Sequence, residues 1–180
     1  MKILLYTFLV SFLFICCRML DSQNHYEIPQ TEKAVNNLLH QIEISLTKKY
    51  KIKAIATDVS MPGGDVRLLG LDFAIRGPLS KEQIRKILID LVQEFLANVN
   101  SDETVRPYLI HYPFKIENIN ITLFLKDAKG YGIDDPSIGI AEISRGILAY
   151  ETIFRTDGMP SIKTAAEESY EEALKVVSNH

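Results

Sequence analysis

Residues 69–100 read LGLDFAIRGPLSKEQIRKILIDLVQEFLANVN and contain two patterns in succession. Apolar residues occupy every second position from Leu69 to Ile75, which is the period of a strand with one buried face. After Gly77-Pro78 the period lengthens to three and four residues, as in an amphipathic helix. The apolar stripe of that helix consists of Ile84, Ile87, Leu88, Leu91, Phe95 and Val99. Ser80-Lys81-Glu82-Gln83 matches a capping box, so we expect the helix to begin after Ser80.

The same two periods recur along the chain. Residues 31–49 carry a helical stripe, and residues 117–125 alternate as a second strand around Ile119, Ile121, Leu123 and Leu125. A less regular strand is predicted at 51–60. A strand broken near Gly146 is predicted at 138–156, and a loop at 126–136 connects it to the second strand. A second capping box, Thr164-Ala165-Ala166-Glu167, predicts a third helix near 164–177.

This order of elements predicts an α+β fold. Alternating strands are typical of an antiparallel sheet with one face covered, and three helices are available to cover it. We therefore expect a two-layer sandwich, with a mostly antiparallel sheet and about three helices on one face. One domain at residues 31–180 follows a polar tether at 18–30 and an N-terminal signal or anchor helix at 1–17.

Composition narrows the class of protein. The 180 residues are 47% hydrophobic and 24% charged, as in a globular domain rather than a disordered chain. A formal net charge of −3 gives no reason to expect a nucleic-acid partner. The two cysteines, Cys16 and Cys17, are adjacent, so no disulfide, cysteine nucleophile or cysteine-ligated metal is expected in the domain.

The N-terminal segment indicates delivery to a membrane. Lys2 is followed by thirteen uncharged residues that end at Cys16-Cys17, a run too short for a stable membrane span. Residues 1–17 resemble a bacterial lipoprotein signal, in which the cysteine at the cleavage point is acylated. The resemblance implies lipidation at Cys17, or else Cys16, and a location in the cell envelope, membrane-anchored and facing outside the cytoplasm. An uncleaved anchor with Arg18 at the membrane edge and an ordinary secretory signal remain open alternatives.

No segment carries a specific catalytic, metal or cofactor signature. His111 has no histidine, cysteine or carboxylate partner at a ligand spacing, and Asp127, Asp134 and Asp135 lack the order of a calcium loop. The one basic cluster is Lys48, Lys49, Lys51 and Lys53. It could contact anionic lipid headgroups, although a helix end followed by outward strand positions produces the same pattern. We therefore predict no catalytic residue, no metal and no cofactor.

These observations favour a non-catalytic binding or structural domain tethered to the envelope, with an unknown protein or glycan partner. The alternatives are a secreted or membrane-tethered hydrolase, whose carboxylates or His111 converge only in the fold, and a single-pass membrane scaffold protein. If three helices cover one face of the sheet, the other face is the place for a partner. Its predicted residues are Phe124, Asn118, Asn120, Thr122, Asp72 and Arg76, which form a polar surface of low net charge with one aromatic anchor. The alternative for Phe124 is that it packs against the 127–137 loop and binds no partner.

Overall fold

The computed structural model describes residues 27–179. In chain order its elements are α1 (Gln30–Tyr50), β1 (Lys53–Ser60), β2 (Leu68–Arg76), α2 (Lys81–Ser101), β3 (Ile119–Lys126), β4 (Ile140–Ser144), β5 (Ile147–Thr156), β6 (Met159–Ser169) and α3 (Tyr170–Ser178). Short 3-10 helices lie at Pro62–Gly64, Arg106–Tyr108 and Ile116–Asn118. The predicted lipidation sites Cys16 and Cys17 lie outside the described residues. Within 27–179, no helix is both long and apolar enough to cross a membrane.

The six strands form one sheet in the order β1-β2-β3-β4-β5-β6. Only β2 and β3 are parallel, and the other four neighbouring pairs are antiparallel. A parallel pair needs a long crossover connection, which α2 provides between β2 and β3. The predicted α+β fold, with a mostly antiparallel sheet and three helices, is confirmed in this part of the chain.

The hydrophobic core lies between the sheet and the helices. It combines one stripe from each helix with the inward residues of the strands, all of which belong to a single cluster. Its members include Val35, Leu39, Leu46, Leu71, Phe73, Leu88, Phe95, Ile121, Leu123, Tyr150 and Ala173. The inward residues of β2 and β3 are those that the alternating pattern predicts, since neighbouring residues of a strand point to opposite faces.

Helix α2 begins as the capping box predicts. The Ser80 hydroxyl accepts a hydrogen bond from the Gln83 backbone N–H at 3.3 Å, and the Gln83 side chain accepts one from the Ser80 N–H at 2.9 Å. Leu88 and Phe95 are fully buried, whereas Ile87 is half-buried at the margin of the stripe. The reciprocal bonds satisfy N–H groups that have no partner inside the helix.

The predicted start of the third helix is wrong. Residues 164–169 belong to β6, and α3 begins only at Tyr170, capped by Ser169. Two capping boxes compete in this segment, and Ser169 with Glu172 forms the one that is used. The first segment is held as a strand because it pairs with β5, for example Ala166 with Tyr150. Local sequence could not choose between the two boxes, since the choice depends on a strand distant from the helix.

Candidate functional site

One side of the sheet faces away from the three helices, and we call it the open face. Strand register assigns to it Lys53, Ala56, Asp58, Gly70, Asp72, Ala74, Arg76, Asn120, Thr122, Phe124, Lys126, Ile140, Glu142, Ser144, Ala149, Glu151, Thr164 and Glu167. Phe124 is half-buried and does not belong to the core cluster. Ile140 is buried on the same side, also outside that cluster. The open face therefore has apolar packing of its own, separate from the core.

The middle of the open face combines an apolar strip with carboxylates. Phe124 lies in register between Ala74 and Ile140, which makes a short apolar strip across three strands. The next row lies two residues away along each strand and places Asp72, Thr122 and Glu142 side by side. It continues through Ala149 to Glu167. Glu151 pairs with Ile140 at the end of the apolar strip.

We call Asp72, Glu142, Glu151 and Glu167 the acidic group. Within residues 27–179, none of the four has a cationic side-chain nitrogen within 4.0 Å. Burial, and then repulsion from the nearby Glu142 carboxylate, raises the pKa of Glu151. The predicted surface of low net charge took in β2 and β3 alone, and β4, β5 and β6 add three glutamates beside it.

A hydrogen bond crosses the open face above Gly70. The Asn120 amide on β3 donates to the Asp58 carboxylate on β1 at 3.0 Å, with β2 lying between them. A Cβ at Gly70 would stand 2.5 Å from the Asn120 carbonyl oxygen and 3.1 Å from the Asp58 Cβ. Because Gly70 has no side chain, the Asn120 side chain of β3 and the Asp58 side chain of β1 can approach each other across β2. The hydrogen bond engages the side chains of Asn120 and Asp58, which lie beside the acidic group.

The structure brings most, but not all, of the predicted binding residues together. Asp72, Thr122 and Phe124 lie in adjacent rows at the centre of the face, and Asn120 is next to them. Asn118 lies apart, since its side chain bonds to backbone groups of Arg67 and Lys115 before β3 begins.

Arg76 lies at the far end of the face, opposite Lys126. The sequence signal that could have completed the site is the alternation in residues 140–151, read together with the register of β4 and β5.

A second feature lies at this end of the sheet, where β1 begins and β2 and β3 end. An open pocket of about 670 Å³ is lined by four basic residues, Lys51, Lys53, Arg76 and Lys126, and by seven others that include Ile55, Ala74 and Asp127. We call it the basic pocket. Of the basic cluster seen in the sequence, Lys51 and Lys53 line this pocket, whereas Lys49 pairs with Glu94 of α2.

A buried polar cluster joins α2 to β5 and β6. The Glu168 carboxylate accepts hydrogen bonds from the Arg85 Nε at 2.9 and 3.1 Å and from the Tyr150 hydroxyl at 2.5 Å. The Lys81 ammonium lies 4.8 Å from the centre of the Tyr150 ring. Burial, and then the bond to Glu168, raises the pKa of Tyr150. Arg85, Tyr150 and Glu168 all lie on the core side of the sheet, so we assign the cluster a structural role. The sequence analysis did not predict this cluster.

The other sequence candidates do not converge. His111 is exposed in the segment between α2 and β3. The Asp127 carboxylate accepts hydrogen bonds from two backbone N–H groups of its own loop, and Asp134 pairs with Arg155 at 2.8 Å. Residues 27–179 contain no group of three or more histidines, cysteines or acidic residues arranged to hold a metal ion.

The chain was compared with protein-family models, with curated proteins and with solved structures. None of them matches it. The function is therefore argued below from the residues and their geometry.

Proposed function

We propose that the protein is a non-catalytic binding domain, tethered to the cell envelope by residues 1–17, whose open face binds another protein. The observation that carries this proposal is the acidic group beside the apolar strip. Glu142 and Glu151 are half-buried and, within the described residues, unpaired, and burial together with repulsion from Glu142 disfavours the charged form of Glu151 in the free fold, as its raised pKa indicates. A partner that brings cations to them relieves that repulsion.

The chemistry of the face indicates what the partner carries. Phe124 and Ile140 supply an apolar centre, and aromatic side chains at the centre of an interface often contribute much of the binding energy. Asp72, Glu142 and Glu167 supply negative charge alongside it, which favours a partner with lysine or arginine around an apolar side chain. This charge pattern favours a protein surface over an uncharged glycan.

The tether is supported by the sequence alone. Residues 1–17 resemble a lipoprotein signal, and α1 starts at Gln30, so about a dozen residues connect the proposed lipid at Cys17 to the fold. Intact-mass measurement of the mature protein tests this part. We expect the loss of the residues before the modified cysteine and a gain of acyl mass, whereas an unmodified Met1 terminus would contradict lipidation and favour an uncleaved anchor.

Site-specific photo-crosslinking tests the binding face. A photoreactive amino acid replaces Thr122, at the centre of the open face, in the full chain expressed in its own cells. The matched control replaces Glu117, which is exposed just before β3. We expect one discrete adduct from position 122 and none of that mass from position 117.

Charge dependence provides the second readout. In the Thr122 background, Glu142→Gln together with Glu167→Gln should abolish the adduct, because it removes two of the carboxylates that attract the partner. An adduct that forms equally at both positions, or that survives the two substitutions, would show that the open face is not the binding surface.

A further inference from the structure

The basic pocket gathers cations that the chain does not neutralise. Arg76 and Lys126 are direct register partners on β2 and β3, and Lys53 lies across from Ala74 at the same end. Like charges directly opposite each other on neighbouring strands are destabilising. Among the residues that the structure describes, no carboxylate oxygen lies within 4.0 Å of the charged nitrogens of Lys51, Lys53, Arg76 or Lys126.

The one acidic side chain in the lining does not compensate for them. One Asp127 carboxylate oxygen accepts hydrogen bonds from the backbone N–H groups of Lys129 and Tyr131, each at 2.8 Å. This carboxylate therefore holds the turn of its own loop. The pocket keeps an excess of positive charge in a concave site, where neighbouring low-dielectric walls strengthen the field.

From these observations we propose that the basic pocket binds a phosphate group. The Arg76 guanidinium is suited to this ligand, because its planar N–H groups match two phosphate oxygens. One of its nitrogens is 3.4 Å from the Ala128 carbonyl oxygen in the loop that follows β3. Lys53 and Lys126 add point charges from the neighbouring strands, and the exposed Ile55 borders the site with an apolar surface.

A soluble compound and a lipid headgroup can both carry the phosphate that this pocket binds. The chain enters the fold at Gln30, and the pocket begins just beyond Tyr50, at the other end of α1. A helix of 21 residues is about 30 Å long. The pocket therefore lies a full helix length from the point where the N-terminal segment joins the domain, a distance that a tether of about a dozen residues can span. The experiment below separates the two sources. The pocket adjoins the apolar strip of the open face, since Ala74 belongs to both and the Lys126 ammonium lies 5.8 Å from the centre of the Phe124 ring.

Lysine footprinting on the full chain tests the proposal. The detergent-solubilised protein reacts briefly with an amine-specific reagent, with inorganic phosphate or with chloride at equal ionic strength, and mass spectrometry reports modification at each lysine. We expect phosphate to protect Lys53 and Lys126, while Lys163, exposed on β6, reacts equally in both salts. Arg76→Gln should weaken the apparent phosphate affinity by about tenfold, the effect of losing one charge-assisted hydrogen bond. Lys53→Gln provides a second variant should Arg76→Gln fail to fold.

A second arm distinguishes the source of the phosphate. The full chain is placed in vesicles of phosphatidylcholine, with or without phosphatidylglycerol. Protection by inorganic phosphate, with no difference between the vesicles, supports a soluble ligand. Protection only in phosphatidylglycerol vesicles would assign the phosphate to a lipid headgroup. Equal protection of Lys163, or no protection in either arm, would overturn the site itself.

Discussion

Replacing Glu168 by alanine removes the acceptor on which the buried polar cluster depends. The Arg85 and Glu168 side chains are 10% and 12% exposed, so the pair is almost fully removed from water. Without the carboxylate, Arg85 keeps a buried charge with no counterion, and the Tyr150 hydroxyl loses its hydrogen-bond acceptor. The expected result is a large loss of stability.

The magnitude follows from the environment of each partner. Removing one side of a buried ion pair costs about 3–5 kcal/mol of unfolding free energy. The lost Tyr150 bond would cost about 1–3 kcal/mol by itself, but it shares the same carboxylate, so the two losses are not additive. Lys81 contributes little, since its ammonium is 4.0 Å away and partly exposed. We expect a total of about 3–5 kcal/mol, or a melting temperature lowered by roughly 6–20 °C.

Urea denaturation followed by circular dichroism measures this free energy. Glu167→Ala is the matched control, because its side chain is exposed on the opposite side of β6 and should change stability by less than about 0.5 kcal/mol. Replacing Arg85 and Glu168 together by methionine should recover much of the loss, since apolar residues of similar size tolerate this environment.

Equal, small effects of Glu168→Ala and Glu167→Ala would refute the reasoning. In the helix predicted at 164–177, both glutamates lie on the outer surface, so both substitutions would be mild. A large difference between the two neighbours is expected only if residues 164–169 form a strand whose alternate side chains point to opposite faces.

Three further predictions concern α2 and the open face. Leu88→Ala should destabilise by about 2–5 kcal/mol in urea denaturation, through the cavity it leaves in the core, and a neutral result would contradict the assigned buried stripe. Phe124→Ala should change stability by clearly less than Leu88→Ala while abolishing the photo-adduct at position 122; a loss of several kcal/mol would show that Phe124 acts as core. Glu151→Gln should stabilise the fold near neutral pH, because a raised pKa means that ionisation of this carboxyl opposes folding. Its gain should vanish below about pH 4, where the carboxyl is protonated in both folded and unfolded chains, and a gain that persists at low pH would contradict the electrostatic cause.

Some features could be predicted because they depend on neighbouring residues alone. The period-two pattern at 69–75 and 119–125 assigns the buried faces of β2 and β3, since a strand alternates its side chains whatever it pairs with. Ser80 caps α2 through bonds to a residue three positions away. In both cases the relevant partners are close in the sequence, so the interactions can be read from it.

The tertiary structure decided what depends on pairing between distant residues. Thr164 and Ser169 each begin a plausible capping box, and only pairing with β5 assigns residues 164–169 to a strand. The acidic group likewise exists only because β4, β5 and β6 bring Glu142, Glu151 and Glu167 to the same face as Asp72. The basic pocket joins lysines after α1 to Arg76 and Lys126, which are far apart in the chain. Register between strands sets these distances, and it is a property of the whole sheet rather than of any one segment.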